Sequence, residues 1–492
     1  MPDPTRFSFQ FGNAPQSSPR DPAQPLRILL LSKLRGNTSD DSALGPIRSV
    51  DVDDFDDLLA KIRPSLRVQL GDSADAFVEI EIREMDDFHP DQLYRSLPVF
   101  HQLRDLRQQL QNTDTFKAAA ARMSDASLQQ PKLPESPAKA ESDSDMMERI
   151  LGKPTQTPSS DFGLTDMIKD IVAPYIVAAP DPQQDAYLKI VDTAIAAQMR
   201  TILHGEAFQA LEAAWQGLYF LVSNIEIDED LQLFVWDVSK SEIQDALDTG
   251  NGNPEDSVLV ERLVKNRDSA PFSLLVSDFR FDESNRDMAL LAQLGAVAAG
   301  AGAPFLATAS PQLTGADAWS DASSLAEGET DGNRFWEALR SSSFAPWIGL
   351  VAPGYLLRLP YGAATDPIDA FLFEELEVDP QSTKDPFLWG APALACATLI
   401  AASFSQNQWA MSLHDHLDIG DLPACTLKID GVSQLKPCAE TLLPERTAEA
   451  MLQAGVMPLV AFKDRNAVGL LRFQSIASGN PQGQALSGPF RV

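Results

Sequence analysis

The chain has 492 residues, room for two to four domains at roughly 100–200 residues apiece, and 44% of them are hydrophobic, ample for buried cores. Against 39 basic residues stand 70 acidic ones, a formal net charge of -31, and such a field repels nucleic acid and anionic membrane and argues against both as partners. The three cysteines, Cys396, Cys425 and Cys438, are odd in number and unevenly spaced and suggest no disulfide framework, while the opening Met1-Pro2-Asp3-Pro4-Thr5-Arg6 lacks the order of a secretion signal, so a reducing cytoplasm is the expected location.

From Arg6 to about Met123, strand-like runs (Leu26 to Leu31, Phe77 to Ile82) alternate with helix-like ones. Between Asp86 and Gln111, Pro90 stands where a first helical turn would begin, and Pro98 interrupts the pattern before Phe100, Leu103, Leu106 and Leu110 recur at helical spacing. Proline suits a first turn because its missing N–H has no intrahelical partner there, so two helices with a bend are expected. Their apolar stripe needs a partner or a sheet to cover it.

Residues 124–163 are dominated by Ser, Pro, Asp, Gln, Lys and Ala, with prolines at 131, 134, 137, 154 and 158, and read as a flexible, disordered linker. Inside it Met146, Met147, Ile150 and Leu151 form an apolar island whose i, i+1, i+4, i+5 spacing makes a short helical stripe. It suits either a recognition helix for a partner's groove or a linker turn docked on its own domain.

Farther along, Leu188, Val191, Ile195, Met199 and Ile202 follow steps of three and four, and after His204-Gly205 the stripe resumes as Phe208, Leu211, Trp215, Leu218 and Val222. Two amphipathic helices joined by a tight corner are expected. Gly205 suits a C-cap, Glu206 and Glu212 suit a helix amino end or an exposed face, and His204 reads as corner packing or capping rather than catalysis. Next, Phe272 to Val276, a helical pattern from Ser284 to Gly300 and Pro304 to Ala309 make a β-α-β unit with parallel strands. Trp347 to Pro360 reads as a strand pair around Pro353-Gly354, and Trp389 to Phe404 as a helix packed through Ala393, Ala397 and Ile400.

Two uncharged stretches, Met288 to Ala316 and Phe387 to Leu413, exceed the ~20 residues that span a bilayer. They are rich in Ala, Gly, Ser, Gln and Pro, which favours helices packed inside an α/β core over membrane insertion. Enzyme signatures are absent: there is no GxxxxGK[ST] or GxSxG, and the glycines at 300 and 302 follow a helix where a dinucleotide site needs a strand. His414 and His416, with Asp415 and Asp418, lack further ligands at metal spacing and read as a solvated turn. No catalytic activity, metal or cofactor is expected.

The run Ile202 to Leu218 closely resembles the signature ILHxxxFQxLExxWxGL of the large contractile-sheath subunit of bacterial type VI secretion systems, called TssC or VipB. Leu350 to Gly362, Phe371 to Glu375, Leu388 to Ala393, and Ser403-Phe404 with Trp409 follow that family's motifs in order. Upstream, Asp53 to Pro64, Asp86 to Asp91 and Leu103 to Arg107 look like the small sheath subunit, TssB or VipA. Two partners that are usually separate are thus joined in one chain.

The resemblance implies an α/β fold of mixed sheets flanked by helices. A small-subunit-like domain (1–123) and a large-subunit-like domain (164–492) would pack together, with Phe88, Phe100, Leu103, Leu106, Leu110, Phe208, Leu211, Trp215, Leu218 and Trp389 as candidate subunit-packing residues. It implies a fused sheath subunit that assembles with itself or other sheath subunits around a tube of Hcp protein. Baseplate or cap proteins are further partners, and Met146, Met147, Ile150 and Leu151 are candidates for capture by the AAA+ unfoldase ClpV. Two departures stand out: Gly354 replaces the family's arginine, and the chain stops at Val492, short of the carboxy-terminal domain of known large subunits. Another polypeptide supplying that domain, or a non-polymerising sheath-like adaptor bound to baseplate, cap or genuine sheath subunits, are the two readings this leaves.

Overall fold

The computed structural model describes residues 24–37, 44–70, 77–127, 184–248, 257–265, 270–319, 331–376, 386–429, 432–479 and 483–490. Most of the expected linker, and with it Met146, Met147, Ile150 and Leu151, lies outside the described residues.

Strand β1 (Leu26–Ser32) is an apolar run buried at every position, as befits a strand covered on both faces. β2 (Ile47–Ser49) and α1 (Phe55–Ile62) follow, then the hairpin strands β3 (Ser65–Gln69) and β4 (Phe77–Glu81), whose burial alternates because one face meets water. Pro90 and Pro98 each open a helix, α2 (Pro90–Ser96) and α3 (Pro98–Gln111), with the bend at extended Leu97. α4 (Thr113–Ser127) runs on past the boundary expected at Met123.

The two helices of the long signature are α5 (Gln184–Leu203) and α6 (Glu206–Asn224). Gly205 is not a left-handed C-cap but the extended N-cap of α6, with φ -67° and ψ 126°. A Cβ there would lie 3.0 Å from the Ile202 carbonyl, so the tightness of the corner favours glycine.

Strands and helices then alternate: β5 (Leu231–Asp237), α7 (Lys240–Asp248), β6 (Leu274–Phe281), α8 (Asn285–Ala301), β7 (Phe305–Ala309), α9 (Asp331–Arg340) and β8 (Ile348–Ala352). The chain continues through β9 (Tyr355–Leu356), β10 (Trp389–Gly390), α10 (Pro392–Asn407), β11 (Asp418–Ile419), the hairpin β12 (Cys425–Ile429) and β13 (Val432–Lys436), α11 (Glu445–Gln453), β14 (Val456–Ala461) and β15 (Val468–Leu470). The expected strand pair at 347–360 does not form. β8 is consumed by the central sheet between β7 and β14, and β9 pairs instead with β10, which takes Trp389 out of the helix that starts at Pro392.

One mixed sheet of nine strands, in the order β11-β15-β14-β8-β7-β6-β1-β5-β2, organises the molecule. β1 lies inside it, parallel to β5 on one side (Leu26 opposite Leu231, Ser32 opposite Asp237) and to β6 on the other (Ile28 opposite Leu274). Leu26, Ile28 and Leu30 enter the larger apolar cluster, with α5, α6 and α10, whereas Leu29 and Leu31 enter a second one with α7, α8 and α9. The two uncharged stretches supply α8 with β7 and β10 with α10, and among the described residues no helix is long and apolar enough to cross a membrane. All three cysteines are free and buried.

Candidate interaction interface between the two halves

The amino-terminal and carboxy-terminal halves meet along two seams. The first is β1 itself, whose backbone is shared with β5 and β6. At its carboxyl end, Leu34 N and Arg35 N donate to Asp237 Oδ1 at 2.9 and 3.3 Å, and the Arg35 guanidinium pairs with Asp237 and Glu242. Trp215 Nε1 donates to the Leu34 carbonyl at 2.9 Å while Phe55 stands edge-on to its ring, 5.8 Å between centroids. A buried indole N–H needs a partner, and the chain just past β1 supplies it.

The second seam is helical. α3 packs along α5, and Phe100, Leu103 and Leu110 are buried in the larger cluster, with Leu106 partly buried against it. Phe208, Leu211, Trp215 and Leu218 lie in the same cluster, and Phe88 meets Phe208 edge to face at 5.7 Å. Trp389 sits apart from them, half-buried beside Leu356, Phe387 and Cys425. Polar groups fix the register. Asp91 accepts from Asp369 N and Ala370 N at 3.1 and 2.8 Å. Gln184 Nε2 caps the carbonyls of Leu110 and Gln111 at 2.6 and 2.8 Å, and Arg107 Nε donates to Asp192 Oδ1 at 2.6 Å.

Behind this seam three motifs converge on one buried ion cluster. Arg358 donates through Nε to Glu212 Oε1 at 2.6 Å and through Nη1 to Glu375 Oε2 at 2.9 Å, and it lies over the Tyr361 ring at 4.4 Å. Tyr361 N donates to Glu375 Oε2 at 2.8 Å, and His204 Nε2 lies 3.5 Å from Glu375 Oε1. Glu212 is 0% exposed, which corrects its expected place at a helix end or an exposed face. The helix spacing carried the signal: Glu212 stands four residues after Phe208 and three before Trp215, inside the apolar stripe. Burial raises the Glu212 carboxyl above its ordinary value. Burial pushes Glu375 the same way, but Arg358, His204 and Tyr361 N outweigh it and hold that carboxyl low. Two carboxylates thus share one guanidinium, which burial alone would discharge but which the pair keeps firmly protonated.

Such a cluster fixes the three motifs against one another. His414 is exposed on its turn, and Asp415 accepts from Asn407 Nδ2 and Ser412 N. Among the described residues no group of His, Cys, Asp or Glu could hold a metal ion. Gly354 O accepts from Glu440 N at 2.9 Å and Gly354 N donates to the Glu440 carboxylate at 3.2 Å, and a Cβ on Gly354 would lie 3.0 Å from the Gly390 carbonyl.

Comparison with known proteins accounts for both halves. Residues 185–477 match the family VipB, described as EvpB/VC_A0108, tail sheath N-terminal domain. Residues 4–130 match the family described as Type VI secretion system, VipA, VC_A0107 or Hcp2. The type VI secretion system sheath protein TssC1 of Pseudomonas aeruginosa is 32% identical over 305 residues, 59% of this chain and 61% of that protein.

Proposed function

The chain belongs to the VipB tail-sheath family of the type VI secretion system and carries a VipA-like region ahead of it, and from that premise we propose that it is a fused structural subunit of a contractile sheath. The observation that carries the reading is β1: the first half completes the second half's sheet from within, so the two form one protomer rather than neighbouring beads. Residues 1–123 act as the small subunit and 164–492 as the large one, with 124–163 as tether. The tether holds the halves at an effective concentration of order mM and fixes their ratio at one to one.

Protomers stack with themselves or with other sheath subunits around an Hcp tube in the cytoplasm, and baseplate or cap proteins close the ends. Contraction draws on the difference in packing between two lattice states, a bistability of interfaces, with no chemistry at a catalytic site. Met146, Met147, Ile150 and Leu151 are the segment that a ClpV-type unfoldase captures for recycling. The packing residues around Phe88, Leu103, Phe208 and Trp215 hold the protomer together while the lattice rearranges.

Negative-stain electron microscopy of the purified chain, alone and co-expressed with Hcp and separate sheath subunits, tests this. Long cogwheel-like tubes support the fused subunit. Discrete particles, or decoration confined to the ends of other sheaths, overturn it in favour of an adaptor.

A further inference from the structure

The two seams leave unexplained a cleft at the carboxyl ends of the parallel strands. There β1 and β6 lie side by side, yet the strands that follow each in the chain lie on opposite sides of the pair, β2 and β5 beyond β1 and β7 beyond β6, with α5 and α6 over one face of the sheet and α8 over the other. Neighbouring strands whose onward connections diverge open a crevice at their carboxyl ends, the place where open α/β sheets take ligands. This crevice has a volume of about 640 Å3, inside the range of roughly 300–1,000 Å3 typical of small-molecule sites.

Its floor is polar. Ser32 Oγ, at the end of β1, donates to Asp278 Oδ2 of β6 at 2.5 Å, and burial pushes the Asp278 carboxyl up to about 6. Beside them Thr308 of β7 is 3% exposed and its hydroxyl has no hydrogen-bond partner, although it lines the same cleft. Leaving a buried hydroxyl unpaired is costly, and a ligand atom in the cleft removes that cost.

The rim is cationic in a chain whose net charge is -31. Lys240 Nζ is held by Asp287 Oδ2 at 2.5 Å, and Arg280 reaches Glu440 at 3.9 Å. Lys33 and Arg286 are exposed at the mouth and make no ion pair among the described residues. Ser239 and Ser241, at the amino end of α7, line the same space, and Ser239 N and Oγ there already donate to Glu242 Oε2 at 2.7 and 2.8 Å.

We propose that this cleft binds a small phosphorylated molecule, with its phosphate on Lys33 and Arg286 and a hydroxyl or amide of its body on Thr308 and Asp278, the latter held in place by Ser32. The ligand bridges β1 of the first half to β6 and β7 of the second, so its occupancy reports on the protomer's central seam. The proposal is independent of whether the chain polymerises.

Isothermal titration calorimetry of the full chain at low salt, with ATP, AMP, ribose 5-phosphate and inorganic phosphate as probes and adenosine and ribose as controls, tests it. Saturable binding is expected for at least one organic phosphate and for neither control. The exposed double substitution Lys33→Glu with Arg286→Glu is expected to weaken it about tenfold or more, the loss of charge-assisted contacts. Thr308→Val is expected to weaken it less, with circular dichroism unchanged in both. Absence of saturable heat at millimolar probe, affinity unchanged in both variants, or inorganic phosphate binding as tightly as the organic probes would each overturn the proposal.

Discussion

The strand seam and the helical seam join the same two halves by opposite means. β1 is held through backbone ladders on both edges and buried at every residue, so many apolar side chains would serve as long as the ladder is unbroken. The helical seam depends on particular side chains meeting: Phe88 on Phe208, Asp91 on two amides, Arg107 on Asp192, and the Arg358 cluster behind them. A backbone seam tolerates drift in identity, whereas a side-chain seam keeps a signature. Most of the motif side chains lie on the second, with Phe55 and Trp215 on the first.

Leu29→Pro breaks the first seam most directly, since proline removes a ladder donor in a central strand. We expect a loss of about 4 kcal/mol or more and, in thermal unfolding, no cooperative transition for either half. A retained transition would mean that the ladder is dispensable. Arg358→Met strikes behind the second seam and leaves Glu212 and Glu375 buried without a cation, at about 3–5 kcal/mol in urea unfolding at neutral pH. Because Glu375 is held below its ordinary value, its stabilisation in the wild type is full above about pH 4.5 and fades as the pH falls through its folded pKa. The gap between variant and wild type should therefore narrow in acid.

Leu103→Ala samples packing alone and should cost about 3 kcal/mol. Arg107→Ala removes a pair whose partners are 31% and 24% exposed, and the shift in the unfolding midpoint should correspond to less than about 1 kcal/mol. The smallest effect sharpens the comparison: protease cleavage within residues 128–183 should leave both halves in one peak on a sizing column, because the described residues outside that segment already build both seams. Two separate peaks would show that the tether, not the seams, holds the protomer.

What was legible follows the same division. Stepwise apolar spacing placed α5 and α6, and Pro90 and Pro98 placed α2 and α3, because helix periodicity and proline chemistry are local. The run at Leu26 announced a strand but not its neighbours. Parallel pairing has no connecting turn to fix a register, and β5 and β6 are equally apolar strands far along the chain. The charge of Glu212 suggests a surface, whereas its place in the apolar stripe points inward. Its partners Arg358 and Glu375 lie far along the chain in separate motifs, and nothing local to either shows that they meet.

The placement of β1 also sets an order of events during synthesis. Arg27 contacts Ser273 across 246 residues, so at roughly 5–20 residues per second the ribosome needs on the order of 10–50 s to deliver the second neighbour. Throughout that interval an apolar, β-prone segment waits without its sheet, and its closure is among the most non-local steps of folding. Expression hosts that translate slowly, or that lack holdase chaperones, should therefore lose this chain to aggregation before its sheet can close.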